Sequence, residues 1–495
     1  MLSSQKSVVK ETLTTAFGQV DCSSLVFFRI AFGWLMAGWA WNYLTTGRVS
    51  KLYIQPEYNF TFAGFDWVSP WPGNGMYFHF LALLVLALAI SVGFLYRLSS
   101  LAFAALFTYV FLLERTNYQN HYYLIALMSW ALPLLPLNRY VSVDAWWKNP
   151  NWQSTEADTL PVWVLWIVRF HIGIPYFFGG IAKLTPDWLV GQPMGLFLST
   201  KASFPVVGPY LATQEAAIFM SLAGLLFDLF IVPALLWKRT RTLAYVAAVA
   251  FHLMNSVLFD IHIFPWFMIA ATPIFFDPSW PRRILSGRAI PFAPVATVEW
   301  TLQQRLLTGV VLLYLLFHCA WPLRHRLYEG DASWHERGHL FSWRMMLRAK
   351  EVGIGYAVID PLNNAVANLN HKQFLVDEQA EKFARDPQLI VQFAKFIAAK
   401  FEKETGRRPA VHAFVLASLN GRKPQFMIDP NINLAEVELT LFGKWDWLLP
   451  LTEELRNPPW TVPVDQWRQH VEMPRIEFLE RMKTTTPPAT PANPN

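Results

Sequence analysis

The chain has 495 residues, of which 54% are hydrophobic and 15% charged, and a net charge of +6. Soluble domains carry about 25% charged residues, so the composition excludes an ordinary cytosolic enzyme, and a small charge not gathered into a basic arm argues against nucleic acid as a partner. The two cysteines, Cys22 and Cys319, stand far apart in or beside apolar runs, which rules out a disulfide framework and a cysteine zinc site.

The charge deficit is local. Residues 1–330 are near 11% charged and residues 331–495 near 24%, a membrane-like two-thirds joined to a water-like third. The segment 1–24 carries Lys6 and Lys10 but no apolar core and no cleavage site, so it reads as a cytoplasmic N-terminal segment rather than a signal peptide. Apolar runs long enough to cross a bilayer follow at 25–44, 76–95, 98–113, 121–137, 162–184, 216–237, 243–259, 263–276 and 306–323. The expected fold is therefore a membrane all-α bundle of about nine transmembrane helices over 25–323. With the N-terminus inside, 11 Lys and Arg fall in inner segments and 5 in outer loops, which orients the bundle N-inside and leaves the C-terminal third outside.

That third, 331–480, reads as a small extracytoplasmic α+β domain. Residues 356–360 (YAVID) alternate like a strand, and 379–405 place Phe383, Leu389, Ile390, Phe393, Phe396, Ile397 and Phe401 at helical spacing before Gly406, a candidate C-cap. Strands are expected at 411–419 and 424–428 around Asn420-Gly421, a hairpin signal. The Pro/Thr-rich tail 481–495 reads as disordered.

Ionisable side chains inside spans cost about 2.5–3.5 kcal/mol on insertion scales, so each needs a reason. Arg29, His121, Arg169, His171, Lys183, Asp228, His252 and His318 are such residues. Lys183 ends a span behind Gly179, Gly180 and Ala182, small residues that allow close helix approach. Desolvated there, its amine becomes a usable general base; the plainer alternative is a lysine snorkelling to the interface. His252 and Asn255 share one helix face, either as ligand-binding groups or as polar glue between helices. His121, among Tyr118, Asn120, Tyr122 and Tyr123, is either functional or part of an aromatic belt. Asp228, mid-span, has no basic neighbour on its own helix and is expected to form a structural ion pair, with Arg29 or Arg169 as candidate partners. No clustered metal-ligand spacing appears, nor any phosphate loop or hydrolase motif.

Taken in chain order, these residues resemble the vitamin K-dependent gamma-carboxylases and their bacterial homologues, which share the horizontally transferred transmembrane (HTTM) domain. Asn120-His121-Tyr122-Tyr123-Leu124 is similar to the family's Asn-His-Ser-Tyr-Leu segment, and 176–183 (YFFGGIAK) with Leu184 and Asp187-Trp188 is similar to its Tyr-Phe, Gly, Lys-Leu and Asp-Trp stretch. Residues 224–229 (GLLFDL) resemble its Asp-bearing span, and 251–259 (FHLMNSVLF) its Phe-His-x-Met-Asn-Ser-x-Leu-Phe segment. Outside the membrane, 342–346 (SWRMM) resembles Ser-Trp-x-Met-Met, and 418–422 (SLNGR) with Asp429-Pro430 its Leu-Asn, Arg and Asp-Pro block.

The resemblance implies an enzyme of the carboxy-lyase type that couples oxygenation of a reduced naphthoquinone to its epoxide with carboxylation of glutamate side chains. Reduced vitamin K is then the cosubstrate, with oxygen and carbon dioxide and no metal. It implies Lys183 as the base toward the hydroquinone and His121 in the same reaction centre. His252, Asn255 and Asn120 would hold the quinone. Expected partners are the bilayer, a lipophilic quinone and a Glu-containing protein or peptide, with the chain in the bacterial inner membrane. Two other readings stay open: a quinol epoxidase that does not carboxylate, and a non-catalytic anchor presenting a partner-binding domain.

Overall fold

The computed structural model describes residues 17–150, 158–293, 301–440 and 442–477. Most of the expected N-terminal segment and the whole tail 481–495 lie outside the described residues.

Among the described residues the main helices of the membrane part are α1 (Ser23–Thr45), α2 (Gly75–Val92), α3 (Tyr96–Leu113), α4 (Asn120–Ala131), α5 (Val162–Ala182), α6 (Gln214–Leu236), α7 (Arg241–Leu258), α8 (Phe264–Ala271) and α9 (Leu302–Ala320). All but α4 and α8 are long and apolar enough to cross a membrane; at 18 to 23 residues they measure about 27–35 Å, which matches a hydrocarbon core of about 30 Å.

The two exceptions depart from the full spans expected at 121–137 and 263–276. Prolines are the cause, because each removes a backbone donor and clashes with the preceding turn. Helix α4 gives way to a 3₁₀ turn (Leu132–Leu134) containing Pro133, and α8, opened by Pro265, gives way to Thr272–Phe275 containing Pro273. Both segments still run the length of the bundle. The Leu137 carbonyl accepts from Arg29 near the start of α1, whereas Tyr118, before α4, accepts from the Phe341 amide of the outer domain. Likewise Ser24 N bonds Pro278 O at the start of α1, while His262 meets Arg48 beyond its other end. Among the described residues the chain thus passes nine times between the two faces, and the protein is a multi-pass membrane protein.

Helices α1 and α2 touch backbone to backbone at Gly33, where a Cβ would stand 2.6 Å from the Ala87 carbonyl oxygen; such contacts are how helices bind where lipid removes the hydrophobic drive. Phe32, Trp39, Phe103, Phe107 and Phe267 fill the interior. Leu306, Val310, Leu313 and Phe317 of α9 face outward, as a lipid-exposed helix requires. At the face of the bundle opposite the C-terminal domain, β1 (Gln19–Asp21) pairs with β2 (Thr159–Pro161).

The outer domain is an antiparallel sheet in the order β4-β3-β5-β6, from β3 (Lys350–Ile359), β4 (Val366–Leu369), β5 (Ala410–Leu419) and β6 (Gln425–Phe426), with Lys350 opposite Leu419 and Ile359 opposite Ala410. Helix α10 (Pro387–Thr405) packs on it through Phe393 and Ile397. The single helix expected over 379–405 is two. Asp386 caps the second through Gln388 N, and Pro387, pre-set in φ, takes its first position. Gly406 ends α10 at φ 73°, and Asn420 (54°) and Gly421 (78°) turn the chain after β5, both as expected. Phe60, from the loop between α1 and α2, is buried in the outer domain's core with Tyr356, Phe383 and Val415, so a membrane-side loop threads that core.

Candidate active site

The C-terminal end of α5 meets α6 at Gly180, where a Cβ would lie 2.7 Å from the Leu229 side chain and 3.0 Å from its backbone nitrogen. No larger residue allows that approach, which brings Lys183, just past α5, to Asp228 on α6. Lys183 Nζ donates to Asp228 Oδ2 at 2.6 Å and to the Gly179 carbonyl at 3.4 Å. Lys183 is 6% exposed and Asp228 5%, so the lysine is held inside rather than extended to the interface. Its Nζ sits 5.2 Å from the Trp188 ring, whose indole donates to Ser221 O.

This pair opens into a cavity of about 630 Å³. His121, Asn120, His252 and Asn255 line the same cavity, so six of the ten polar residues singled out in the sequence converge from α4 to α7. His252 is buried and shares a 2.6 Å bond between its Nε2 and the Tyr176 hydroxyl, while its Nδ1 has no partner. Nε2 of His121 is likewise buried and unpartnered, with its ring stacked on Phe264. Asn120 accepts from Tyr118 and donates weakly to the Arg344 carbonyl. The remaining wall is largely apolar: Phe227 stacked on Phe251 at 3.9 Å, with Met220, Met254 and Met268 beside them.

The other four lie elsewhere: His171 shares a hydrogen bond with the Tyr314 hydroxyl, whose ring packs on His318, away from the cavity. The pairing of Asp228 with Arg29 or Arg169 is corrected by the structure. Arg29 donates to the carbonyls of Leu137, Ser91 and Val141, and Arg169 to those of Ile274, Phe275 and Phe276. Chain ends leave carbonyls without intrahelical donors, and a guanidinium with five donors satisfies a cluster of them. Arg169 precedes Lys183 by 14 residues on one helix, about 21 Å, too far to compete for Asp228.

Tyr176 was missed as a partner for His252, although its spacing of seven residues from Lys183 puts both on one face of α5 and could have identified it. The contribution of the outer domain had no periodic signal. His339, Arg344, Met345, Met346 and Arg348 close the cavity from outside. Burial, aided by the Arg344 and Lys350 charges, pushes the His339 imidazole well below its ordinary range, so it is neutral near pH 7.

A second chamber of about 690 Å³ adjoins the first and shares Tyr118, Gln119, Leu340 and Arg348 with it. It is polar, with the cations Arg115, Arg348, Lys350, Lys382 and Arg385 outnumbering the acids Glu351 and Asp386; Arg115 is paired with Asp386, and Arg348 with Glu336. Between the chambers and the sheet, Arg422 grips Asp187 with both nitrogens (2.6 and 2.8 Å), and Asn420 Nδ2 donates to the same carboxylate at 2.8 Å. Arg422 and Asn420 follow β5, and Asp187 lies four residues beyond Lys183. Two sequence stretches more than 230 residues apart therefore lock together beside the cavity.

Comparison with protein families bears on what this cavity is for. The HTTM domain matches residues 17–280, and the lumenal domain of vitamin K-dependent gamma-carboxylase matches residues 303–454. No solved structure matches the chain. With one domain filling the membrane and the other roofing the same cavity, the chain belongs to the vitamin K-dependent gamma-carboxylase family.

Proposed function

We propose that this protein is an integral membrane gamma-glutamyl carboxylase that uses reduced vitamin K or a related naphthoquinol, with oxygen, to carboxylate glutamate side chains and releases the quinone as its epoxide. The observation that carries this reading is the Lys183–Asp228 pair, held at 2.6 Å inside an apolar cavity that also collects His121, His252 and Asn255.

The cavity suits the ligand. Its volume falls among those of small-molecule sites, apolar walls with a few aimed polar groups, and two buried imidazole nitrogens, His121 Nε2 and His252 Nδ1, lack partners. When bound, the reduced quinone supplies, with oxygen, the strong base that removes a gamma proton from glutamate. The chain's own groups bind and orient. The bond between the Tyr176 hydroxyl and His252 Nε2 fixes the orientation of the imidazole on the cavity wall. Along α5, Tyr176 and Lys183 are about 10 Å apart, so His252 and Lys183 would hold a bound quinol from separate points of the cavity wall. Lys183 with Asp228 provides the proton acceptor, and His121 stands beside the reacting face. Phe227, Phe251, Phe264 and Trp188 exclude water, which keeps a strong base from being quenched. The cationic outer chamber, meeting the inner one at Arg348, admits a glutamate carboxylate. The orientation that fits is N-terminus in the cytoplasm and outer domain outside.

The test is purified full-length protein in lipid, given reduced vitamin K, oxygen, labelled carbon dioxide and a Glu-containing peptide. Epoxide and labelled carboxylate are expected together, and both are lost in Lys183→Ala. Absence of epoxide from the wild type overturns the assignment; epoxide without label reduces it to a quinol epoxidase.

A further inference from the structure

The two chambers meet at a neck formed by Tyr118, Gln119, Leu340 and Arg348, the residues that line both. A glutamate within a peptide cannot pass this neck whole. The inner chamber is largely apolar, and peptide groups drawn into it would lose their hydrogen bonds. The backbone therefore stays in the polar outer chamber and only the side chain reaches in, which leaves the γ-carboxylate at the neck. Three of the four neck residues are committed or apolar. The Tyr118 hydroxyl accepts from the Phe341 amide and donates to Asn120 Oδ1, Arg348 is paired with Glu336, and Leu340 offers no polar side chain. Gln119 is the exception. It stands at the N-cap of α4 with φ −140° and ψ 144°, its side chain makes no cap bond to the helix, and its Oε1 is buried without a partner. An amide oxygen buried with nothing to accept costs the fold, and a half-turn of the amide exchanges it for Nε2, which carries two hydrogens to donate.

We infer that Gln119 is a binding residue for the target glutamate: its amide Nε2 donates to the γ-carboxylate at the neck and holds the Cγ–H bonds toward the inner chamber. Arg348 supplies positive charge beside it, which draws the carboxylate in. A neutral donor suits this place. It fixes direction without adding a second full charge, so a product that carries two carboxylates on the same carbon is not held by a further cation. No bond is made or broken at Gln119. The residue lies just before the 120–124 segment that carries the family resemblance, and its role rests on the carboxylase reading of the two chambers.

The test is steady-state kinetics of the full-length protein in lipid, with reduced vitamin K, oxygen, labelled carbon dioxide and a Glu-containing peptide, each varied in turn. Gln119→Leu, of similar size without the donor, is expected to raise KM for the peptide by roughly tenfold or more, the loss of one hydrogen bond to a charged group. Its kcat and its KM for the quinol stay close to those of the wild type. Gln119→Glu, which keeps the size and sets a like charge at the neck, raises the peptide KM further. A role confined to the shape of α4 predicts another pattern, because Asn120 and His121 follow directly: kcat falls and the quinol KM rises in both variants while the peptide KM holds. That pattern, or a peptide KM unchanged in both variants, overturns the role of Gln119 alone. A wild type that carboxylates no peptide removes the reading of the chambers, and the role of Gln119 falls with it.

Discussion

At the scale of single residues, two histidines of the cavity wall keep a ring nitrogen without a partner among the described residues. His252 spends Nε2 on Tyr176 and leaves Nδ1 free; His121 leaves Nε2 free. Buried polar atoms without partners cost about 1–3 kcal/mol each, so their persistence is a sign of something they bind. Removing the tyrosine hydroxyl tests the orientation it enforces. Tyr176→Phe keeps the ring packing on Phe227 and frees His252 to turn and change tautomer, so the fold is kept and quinol affinity falls by roughly fivefold to tenfold, the equivalent of one hydrogen bond of about 1 kcal/mol. Equilibrium titration with reduced quinone measures it, and an unchanged affinity removes His252 from the binding groups. Most of these residues were legible in the sequence because a polar side chain in an apolar run stands out. Their partners were not: nothing local in GLLFDLF says that Asp228 meets a lysine 45 positions earlier rather than an arginine, since that choice is made by which helices pack.

Helices choose their neighbours through small residues, and at this scale Gly180 decides the site. A methyl group there would press on Leu229, including its backbone nitrogen, and backbone cannot rotate away as a side chain tip can. Gly180→Ala is expected to lower stability by about 1–3 kcal/mol through overpacking and to push α6 outward. The Lys183–Asp228 distance then grows, and turnover falls further than stability alone explains. A thermal melt read beside initial rates separates the two, and normal rates with normal melting show that α5 and α6 tolerate the methyl. The long helices were readable as hydrophobic runs, and the turn residues Gly406, Asn420 and Gly421 as backbone signals. The breaks at Pro133, Pro273 and Pro387 show where the reading fell short. An apolar run does not say whether its proline kinks a span, ends it or starts the next helix, and Pro387 starts one only because Asp386 is there to cap it.

For the whole molecule, the outer domain is sensitive to acid in a way the buried histidines dictate. Burial pushes the His335 imidazole from its ordinary 6.5 to about 4 and lowers His339 and His412 as well. These rings are neutral when folded, and once unfolded they take up protons below pH 6.5. The unfolded state therefore binds more protons between those values, and stability is lost as pH falls from about 6.5 toward about 4. Melting followed from about pH 7 to about pH 5 should show that decline, less steep in His335→Gln. Among the links that join this domain to the membrane part is the Arg422–Asp187 pair, two parallel bonds from one guanidinium with Asn420 adding a third. Both partners are about nine-tenths buried, so deleting one strands the other's charge, at about 3–5 kcal/mol. The damage would travel, because Asp187 belongs to the short helix Pro186–Leu189 whose Trp188 packs against the Lys183 amine. Arg422→Ala should therefore loosen the outer domain, seen as faster limited proteolysis after the last span, and reduce turnover although no atom of Arg422 lines the inner cavity. Asp187→Asn with Arg422→Gln exchanges the ion pair for neutral hydrogen bonds. It should recover more than half of the lost stability, because the penalty in the single variant is the stranded carboxylate rather than the missing attraction. If Arg422→Ala were neither more readily cleaved nor slower, the two domains would be held by their other contacts, Phe60 in the outer core and the Arg115–Asp386 and Gln379–Glu114 bonds.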